Sequence, residues 1–124
     1  MNIPDKLYYT KDHEWIKIDD GIATVGITDY AQNALGDIIF IEFPDIASIW
    51  KIGDVICTIE AVKTVADIYS PIGGRVAEIN INLNEDAECI NKDPYGSGWI
   101  IKLELINKDD SSLLSPHEYQ QLIQ

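Results

Sequence analysis

Lys63 lies between two stretches in which apolar and other residues alternate, and this pattern constrains the fold more than any other feature of the chain. Every second residue is apolar over 55–61, and the alternation resumes over 65–69. Alternation with a period of two on both sides of a short break predicts two β-strands joined by a tight turn. We therefore expect a hairpin at about 54–70 with the Lys63 amine at its tip. An ordinary solvated surface lysine is the alternative interpretation.

Short strand patterns, separated by Gly, Pro, Asn and Asp, account for most of the remaining chain. The predicted strands cover residues 13–18, 22–27, 37–43, 54–61, 64–69, 74–81 and 99–106. Many short strands with such turn signals are typical of an all-β sandwich or flattened barrel. Glycines flank both arms of the hairpin, at Gly53 and Gly73, which suggests a pseudo-symmetric pair of hairpins.

Two short helices are predicted between and after these strands, near residues 28–35 and 115–123. The first can begin at Thr28, because a threonine hydroxyl accepts a hydrogen bond from the free amides of the first turn. The second begins at Ser115, which has a glutamate three residues later and so the spacing of a capping box. We expect the second helix to dock on the edge of the sandwich.

The charge of the chain limits the partners that it can bind. It has 21 acidic and 9 basic residues among 124, a net charge of −12. This balance disfavours nucleic acids and anionic membranes and favours partners with basic surfaces. The first ten residues lack the features of a signal or transit peptide, and no apolar stretch approaches the length of a membrane span. We therefore predict one domain over 1–124 in a bacterial cytoplasm.

Motifs for catalysis or metal binding are absent from the sequence. It contains no Gly-rich phosphate loop, no cysteine pair at zinc spacing and no nucleophile-elbow serine. Cys57 and Cys89 lie far apart, and Cys57 falls in a strand pattern, where we expect a small buried apolar residue. His13 falls in a predicted strand, so its neighbours Asp12 and Glu14 point to the opposite face and disfavour a local metal site.

Lys63 is the remaining candidate for chemistry. A lysine amine is ordinarily protonated at neutral pH and is then a poor nucleophile. A catalytic lysine needs a desolvating pocket or cationic neighbours, whereas Glu60 and Asp67 would stabilise its charged form. Lys63 is therefore better suited to be acylated by another enzyme, which would remove its charge, than to catalyse a reaction itself.

The hairpin sequence resembles a lipoyl-attachment hairpin, with Glu-Ala-Val-Lys at 60–63 and Asp-Ile-Tyr-Ser-Pro at 67–71. Four further blocks are similar, in the same order, to the glycine cleavage H-protein family: residues 9–15, 25–32, 35–38 and 91–99. The resemblance covers roughly 7–119, nearly the whole chain. It departs from the family at Ala61 and Thr64, where serine and alanine are usual.

This resemblance implies a lipoyl-carrying shuttle with no catalytic activity of its own. The implied fold is mainly β, a flattened barrel-sandwich hybrid of two antiparallel sheets with pseudo-two-fold symmetry. Lipoic acid would be joined to Lys63 by an amide bond through lipoate-attaching enzymes. The implied partners are glycine decarboxylase with pyridoxal phosphate, aminomethyltransferase with tetrahydrofolate, and dihydrolipoamide dehydrogenase with FAD. No nucleic acid, membrane or metal belongs to this role.

Two carboxylates are predicted to contact the loaded arm. An aminomethyl group on the arm is cationic and prone to hydrolysis, so a carrier gains by holding it in an acidic cleft away from water. Glu14 and Asp67 lie at positions that match the family's motif blocks and are our candidates, with Asp12 a weaker one. Ordinary solvated carboxylates are the alternative interpretation.

Other functions stay open on the sequence alone. Biotin carriers favour methionine on both sides of the modified lysine, where this chain has Val62 and Thr64. Lipoyl domains of 2-oxoacid dehydrogenases usually have aspartate before the lysine and Ala/Pro-rich linkers. An interaction domain that carries no lipoyl group, and a carrier that donates its lipoyl group to other proteins, are not distinguished from the glycine role.

Overall fold

The computed structural model describes residues 1–106 and 112–124 and contains two antiparallel sheets. The strands are β1 (Tyr8–Tyr9), β2 (Glu14–Asp19), β3 (Ile22–Ile27), β4 (Ile38–Glu42), β5 (Ile49–Trp50), β6 (Val55–Ala61), β7 (Val65–Tyr69), β8 (Gly74–Ile79) and β9 (Ile101–Leu105). The larger sheet has the order β1-β2-β3-β9-β8-β5, and the smaller sheet has the order β4-β6-β7. The predicted mainly β fold of two antiparallel sheets is confirmed, whereas the pseudo-two-fold symmetry stays a prediction.

The hairpin predicted around Lys63 is formed by β6 and β7. These strands pair antiparallel from Glu60 opposite Val65 to Val55 opposite Tyr69. The pairing register shifts once, near the start of β6, so the strict alternation expected from Val55 holds only from Cys57 onwards. Cys57 is buried, as predicted.

The core lies between the two sheets and consists mainly of branched aliphatic side chains. Fully buried members from both sheets include Ile16, Val25, Ile41, Ile59, Ile68, Val76 and Leu103. β-branched residues suit this position because they pack well on a pleated surface and lose little rotamer freedom there. The inward face of the hairpin is therefore fixed against the larger sheet, and only its outward face and its tip meet solvent.

The helices are α1 (Asp29–Leu35), α2 (Cys89–Lys92) and α3 (Pro116–Leu122), with a 3-10 helix at Ile81–Asn84. Both predicted helices are confirmed with their caps. The Thr28 hydroxyl accepts from the Ala31 amide at 3.2 Å, and Ser115 and Glu118 form the reciprocal capping box. The single turn of α2 was not predicted, because four residues without a side-chain cap give no periodic signal.

Helix α3 docks on the edge of the larger sheet, as expected. The Tyr119 ring stacks on Tyr9 of the edge strand β1, with centroids 4.8 Å apart. The Tyr119 hydroxyl lies 2.7 Å from the Thr28 hydroxyl and 2.9 Å from His13 Nδ1. This polar chain links the C-terminal helix to the start of α1 and to the turn before β2.

The prediction of a strand beginning at His13 is wrong, because β2 begins one residue later. His13 has a φ of 70°, a left-handed conformation that does not fit a strand. Its amide donates to the Thr10 carbonyl at 3.1 Å, and the Thr10 amide donates to the Glu14 carbonyl at 3.0 Å. The segment is a tight turn, so the alternation of strand faces does not extend to Asp12.

Candidate functional site

Lys63 lies at the tip of the hairpin, in the three-residue connection 62–64 between β6 and β7. The tip is held by backbone hydrogen bonds. The Ala61 amide donates to the Thr64 carbonyl at 2.8 Å, and the Val62 amide donates to the Asp37 carbonyl at 2.9 Å. Because the backbone makes these bonds, the Lys63 side chain is not needed to hold the turn, and it is exposed.

The support beneath the lysine comes from the end of α1. Gly36 stops this helix with φ 77° and ψ −153°, a conformation that is essentially restricted to glycine. A Cβ atom at Gly36 would lie 3.3 Å from Lys63 Cε, so the glycine leaves room for the lysine stem. Sequence reasoning identified Gly36 as part of a motif block but not as the neighbour of the lysine.

The side chain of Asn91 in α2 holds the end of α1 in place through hydrogen bonds. Its side-chain amide donates to the Gly36 carbonyl at 2.8 Å and to Gln32 Oε1 at 3.1 Å, and its Oδ1 accepts from the Ile38 amide at 3.0 Å. These bonds connect α2, the end of α1 and the start of β4 in one network. The sequence placed Asn91 in a motif block, but only the fold brings it to the segment under Lys63.

The amine of Lys63 has no ion-pair or hydrogen-bond partner among the residues that the structure describes. Glu60 and Asp67, which we expected to stabilise its charge, are both exposed and lie more than 4.0 Å from it. The amine is therefore open to an approaching enzyme from the solvent side.

Glu14 has the opposite environment, because its side chain is 1% exposed. Its Oε1 accepts from the Thr10 hydroxyl at 2.7 Å, and its Oε2 accepts from the Tyr69 amide at 3.1 Å. Burial raises the pKa of Glu14 to about 7, with a smaller contribution from Asp12, although these two hydrogen bonds oppose the rise. Burial, together with the nearby Glu14 charge, raises the pKa of the Cys57 thiol to about 12.

Glu14 borders a surface cleft of about 340 Å³, here called the Glu14 cleft, which is also lined by Asp12, Tyr69 and Pro71. Asp67 does not line it, and its exposed side chain follows Val65 on the outward face of β7. Asp12 and Glu14 thus line the same cleft, and Asp67 lies outside its lining. At the rise of a β-strand, Tyr69 at the cleft lies about 20 Å along the hairpin from Lys63.

The fold of the chain agrees with comparisons to known proteins. The model of the glycine cleavage H-protein family matches residues 7–124. The chain belongs to this family. A probable glycine cleavage system H protein of Thermoplasma volcanium is 48% identical over 123 residues, which cover 99% of this chain and 98% of that protein. The glycine cleavage system H protein of Rubrobacter xylanophilus is 50% identical over 117 residues, which cover 94% of this chain and 91% of that protein.

A solved structure gives the same result for the fold. The crystal structure of a glycine cleavage system H protein from Mycobacterium marinum superposes with a TM-score of 0.90 at 36% identity. The match covers 96% of this chain and 97% of that one. The resemblance to the H-protein family expected from the hairpin and its accompanying motif blocks is therefore confirmed.

The remaining features of this H-protein family member concern membrane-spanning helices, metal-binding groups and a second cavity. Within residues 1–106 and 112–124, no helix combines the length and the apolar character needed to cross a bilayer. The same residues hold no group of three or more His, Cys, Asp or Glu side chains that could bind a metal ion. An apolar cavity of about 460 Å³ lies elsewhere, lined by Trp50 and Ile106, and Lys63 is not part of it.

Proposed function

We propose that this chain is the lipoyl-carrying shuttle of the glycine cleavage system, a non-catalytic subunit whose Lys63 bears lipoic acid in amide linkage. The observation that carries this proposal is the exposed Lys63 side chain at the tip of a fixed hairpin, whose amine has no partner within residues 1–106 and 112–124, in a member of the H-protein family. A single domain over 1–124 and a bacterial cytoplasmic location belong to the same proposal.

The residues around Lys63 fit a covalently attached group. The stem and the amine of the lysine lie over Gly36, whose missing side chain leaves them room, and the residue as a whole is exposed. The hairpin holds the attachment point, because its tip is bonded to the backbone at Asp37 and its inward face is buried. When bound, the lipoyl group supplies a disulfide that accepts the aminomethyl unit of glycine.

The partners follow from this role. Glycine decarboxylase with pyridoxal phosphate would load the carrier, and aminomethyltransferase with tetrahydrofolate would unload it. Dihydrolipoamide dehydrogenase with FAD would restore the disulfide by thiol–disulfide exchange. The chain itself contributes placement of the attachment point, and its net charge of −12 favours partners with basic docking surfaces.

Glu14 and Asp67 are proposed contacts of the loaded arm. Support for Glu14 comes from its position at the wall of the Glu14 cleft, where a cationic end group would meet a carboxyl. Asp67 has support only from its place on the hairpin. If both contribute, Glu14→Gln combined with Asp67→Asn should speed loss of the aminomethyl group and leave lipoylation complete. An unchanged decay rate in the double variant would discard this contact.

Intact mass of natively produced protein tests the function directly. We expect the wild type to carry one lipoyl-sized addition under lipoate-replete conditions and Lys63→Arg to carry none. Lys51→Arg is the matched control, because Lys51 is also exposed and should leave the addition in place. A biotin-sized addition would show that the attached cofactor is biotin and not lipoic acid. No addition to the wild type would favour an unmodified interaction domain.

The decarboxylase that reduces the loaded protein then separates the two lipoyl roles. Reduction in the presence of glycine and glycine decarboxylase supports the proposed shuttle. Reduction only by a 2-oxoacid decarboxylase would instead assign the chain to another complex. Transfer of the lipoyl group from Lys63 to a second carrier, followed by mass, tests the relay role.

A further inference from the structure

The outward face of the smaller sheet combines apolar and acidic side chains directly below Lys63. Phe40 on β4 is paired with Glu60 on β6, and Glu60 is paired with Val65 on β7, so the three form one row across the sheet. Phe40 is 50% exposed and Val65 is 61% exposed. Phe40 and Val65 lie on either side of Glu60, so the row offers a partner two apolar contacts around a carboxylate close to Lys63.

A second row adds charge to this face. Glu42 is paired with Thr58, and Thr58 is paired with Asp67, so the two carboxylates flank the central strand. Both are exposed, and neither forms an ion pair with any residue in the described part of the chain. We call the two rows together the docking face: Phe40, Glu42, Thr58, Glu60, Val65 and Asp67.

The larger sheet shows that exposed charges in this fold can be balanced internally. On its outward face Arg75 lies 3.7 Å from Glu104, and Lys102 lies 3.8 Å from Glu78. Its charges alternate in sign, whereas every charge of the docking face is negative. The docking face therefore has a potential that only an outside partner with lysine or arginine can complement.

The position of the docking face selects one partner among those that the proposed function requires. An enzyme that acylates Lys63 must bring its acyl carbon to Nζ itself, so its contact area must surround the hairpin tip. A typical interface covers about 800 Å² per partner, a disc of roughly 16 Å in radius. By strand geometry Val65 lies about 7 Å from Lys63, Phe40 about 11 Å and Asp67 about 13 Å. The inward face of the hairpin is buried and the docking face is its exposed side, so a contact area of this size around the tip includes the docking face.

We propose that the docking face is the surface by which the enzyme that acylates Lys63 recognises this chain, through an apolar patch with a rim of lysine and arginine. This inference rests on the proposed function, because it takes Lys63 as the acylated residue. The donor is an activated lipoyl ester or anhydride. The amide bond forms between Nζ and the acyl carbon as the bond from that carbon to the leaving group breaks. The leaving group takes the bonding electrons, and the ammonium form of Nζ releases two protons.

The apolar part is tested with Phe40→Ser combined with Val65→Ser. The matched control is Ile49→Ser combined with Ile106→Ser, because these two are 68% and 58% exposed outside the docking face. Calorimetry measures the Kd between unmodified protein and a lipoate-attaching enzyme, and intact mass follows acylation in time. We expect the Kd and the KM of acylation to rise on the order of tenfold, with kcat unchanged at saturation. The control should stay within about twofold of wild type, and thermal unfolding checks that both variants are folded.

The acidic part is tested with Glu42→Lys combined with Asp67→Lys. Glu85→Lys combined with Asp86→Lys is the control, because it changes the net charge equally at exposed positions outside the docking face. The association rate of wild type with the attaching enzyme should fall as salt rises, since exposed charges are screened. We expect the Glu42/Asp67 variant to associate more slowly and with a flatter salt dependence, and the control to follow wild type.

The outcomes separate this inference from the proposed function. If all variants reach the full lipoyl mass and the docking-face variants match their controls in Kd, KM and salt dependence, the docking face is refuted while the carrier role stands. If the wild type gains no lipoyl mass at saturating enzyme, the carrier role itself fails. If only the Kd for glycine decarboxylase or aminomethyltransferase rises, the face belongs to a different partner and the inference is overturned.

Discussion

The two ends of the β6–β7 hairpin differ in every property that controls reactivity. At the tip, Lys63 is exposed, and its amine has no partner in the described part of the chain. At the base, Glu14 is buried, both of its carboxyl oxygens accept hydrogen bonds, and one of these comes from the Tyr69 backbone amide of the hairpin itself. One hairpin thus presents a free cation at one end and encloses a carboxyl at the other.

This difference shows how a rigid carrier can leave its reactive group free. The tip needs no side-chain contacts because the backbone bonds at Val62 and Ala61 fix the turn. At the base, the hydrogen bonds of Glu14 fix the hairpin, but burial destabilises the ionised carboxylate. A carboxyl removed from water is stable mainly in its protonated form. We therefore expect substitutions at the base to change stability and substitutions at the tip to change modification.

The largest effect on stability is expected for Glu14→Gln, and it depends on pH. The folded-state pKa of about 7 exceeds the ordinary value of 4.5, so above pH 4.5 the folded protein retains a proton that the unfolded chain has released. The free energy of unfolding should therefore fall as pH rises from 4.5 to 7. The full loss above pH 7 is about 3 kcal/mol, because a tenfold difference in proton affinity corresponds to about 1.4 kcal/mol. Glutamine cannot ionise, so the stability of the variant relative to wild type should rise by about that amount between pH 4 and pH 8. A constant loss is superimposed on this rise, because glutamine has one acceptor oxygen whereas Glu14 accepts from both Thr10 and Tyr69.

Urea unfolding of both proteins across this range gives the measurement. The comparison between variant and wild type matters because burial lowers the pKa of His13. The histidine therefore adds stability as pH rises toward 6.5, which is opposite in sign to the effect of Glu14. The difference between the two proteins removes this contribution. A difference that is constant from pH 4 to pH 8 would show that Glu14 is already ionised in the fold.

A smaller effect is expected for Gly36→Ala, which alters the support of the tip. The backbone at Gly36 is one that alanine tolerates poorly, and we expect a loss of about 2 kcal/mol in the free energy of unfolding. The added Cβ would also contact the Lys63 stem and should slow its acylation. Gly21→Ala is the control, because Gly21 also has a positive φ, of 78°, but a Cβ added there would have no neighbouring atom within 4 Å.

Equal acylation rates in the two glycine variants would show that strain alone, and not contact with Lys63, explains any change.

The smallest effect on stability is expected for Lys63→Arg at the tip of the hairpin. It should change the free energy of unfolding by less than about 0.5 kcal/mol, as expected for an exposed side chain outside any bonded network. A larger loss would mean that the lysine helps to hold the hairpin.

Much of the fold could be predicted from local patterns in the sequence. The alternation around Lys63 predicted the hairpin, and Thr28 and Ser115 predicted the starts of two helices through capping chemistry that acts within four residues. The strand start at His13 was predicted wrongly, because a left-handed turn leaves no mark on a period-two pattern. The turn of α2 was missed because it is too short to be periodic.

The sequence alone determined the attachment candidate, since a lysine at a hairpin tip is exposed by local geometry whatever the rest of the chain does. It also determined the net charge of −12. Only the tertiary structure decided that Glu14 is buried and that Asp67 lies outside the Glu14 cleft. It also decided that Asn91 fixes the segment under Lys63 and that Phe40 and Val65 share one face. These relations join residues far apart in sequence, and they arise from the packing of two sheets, which no local pattern encodes.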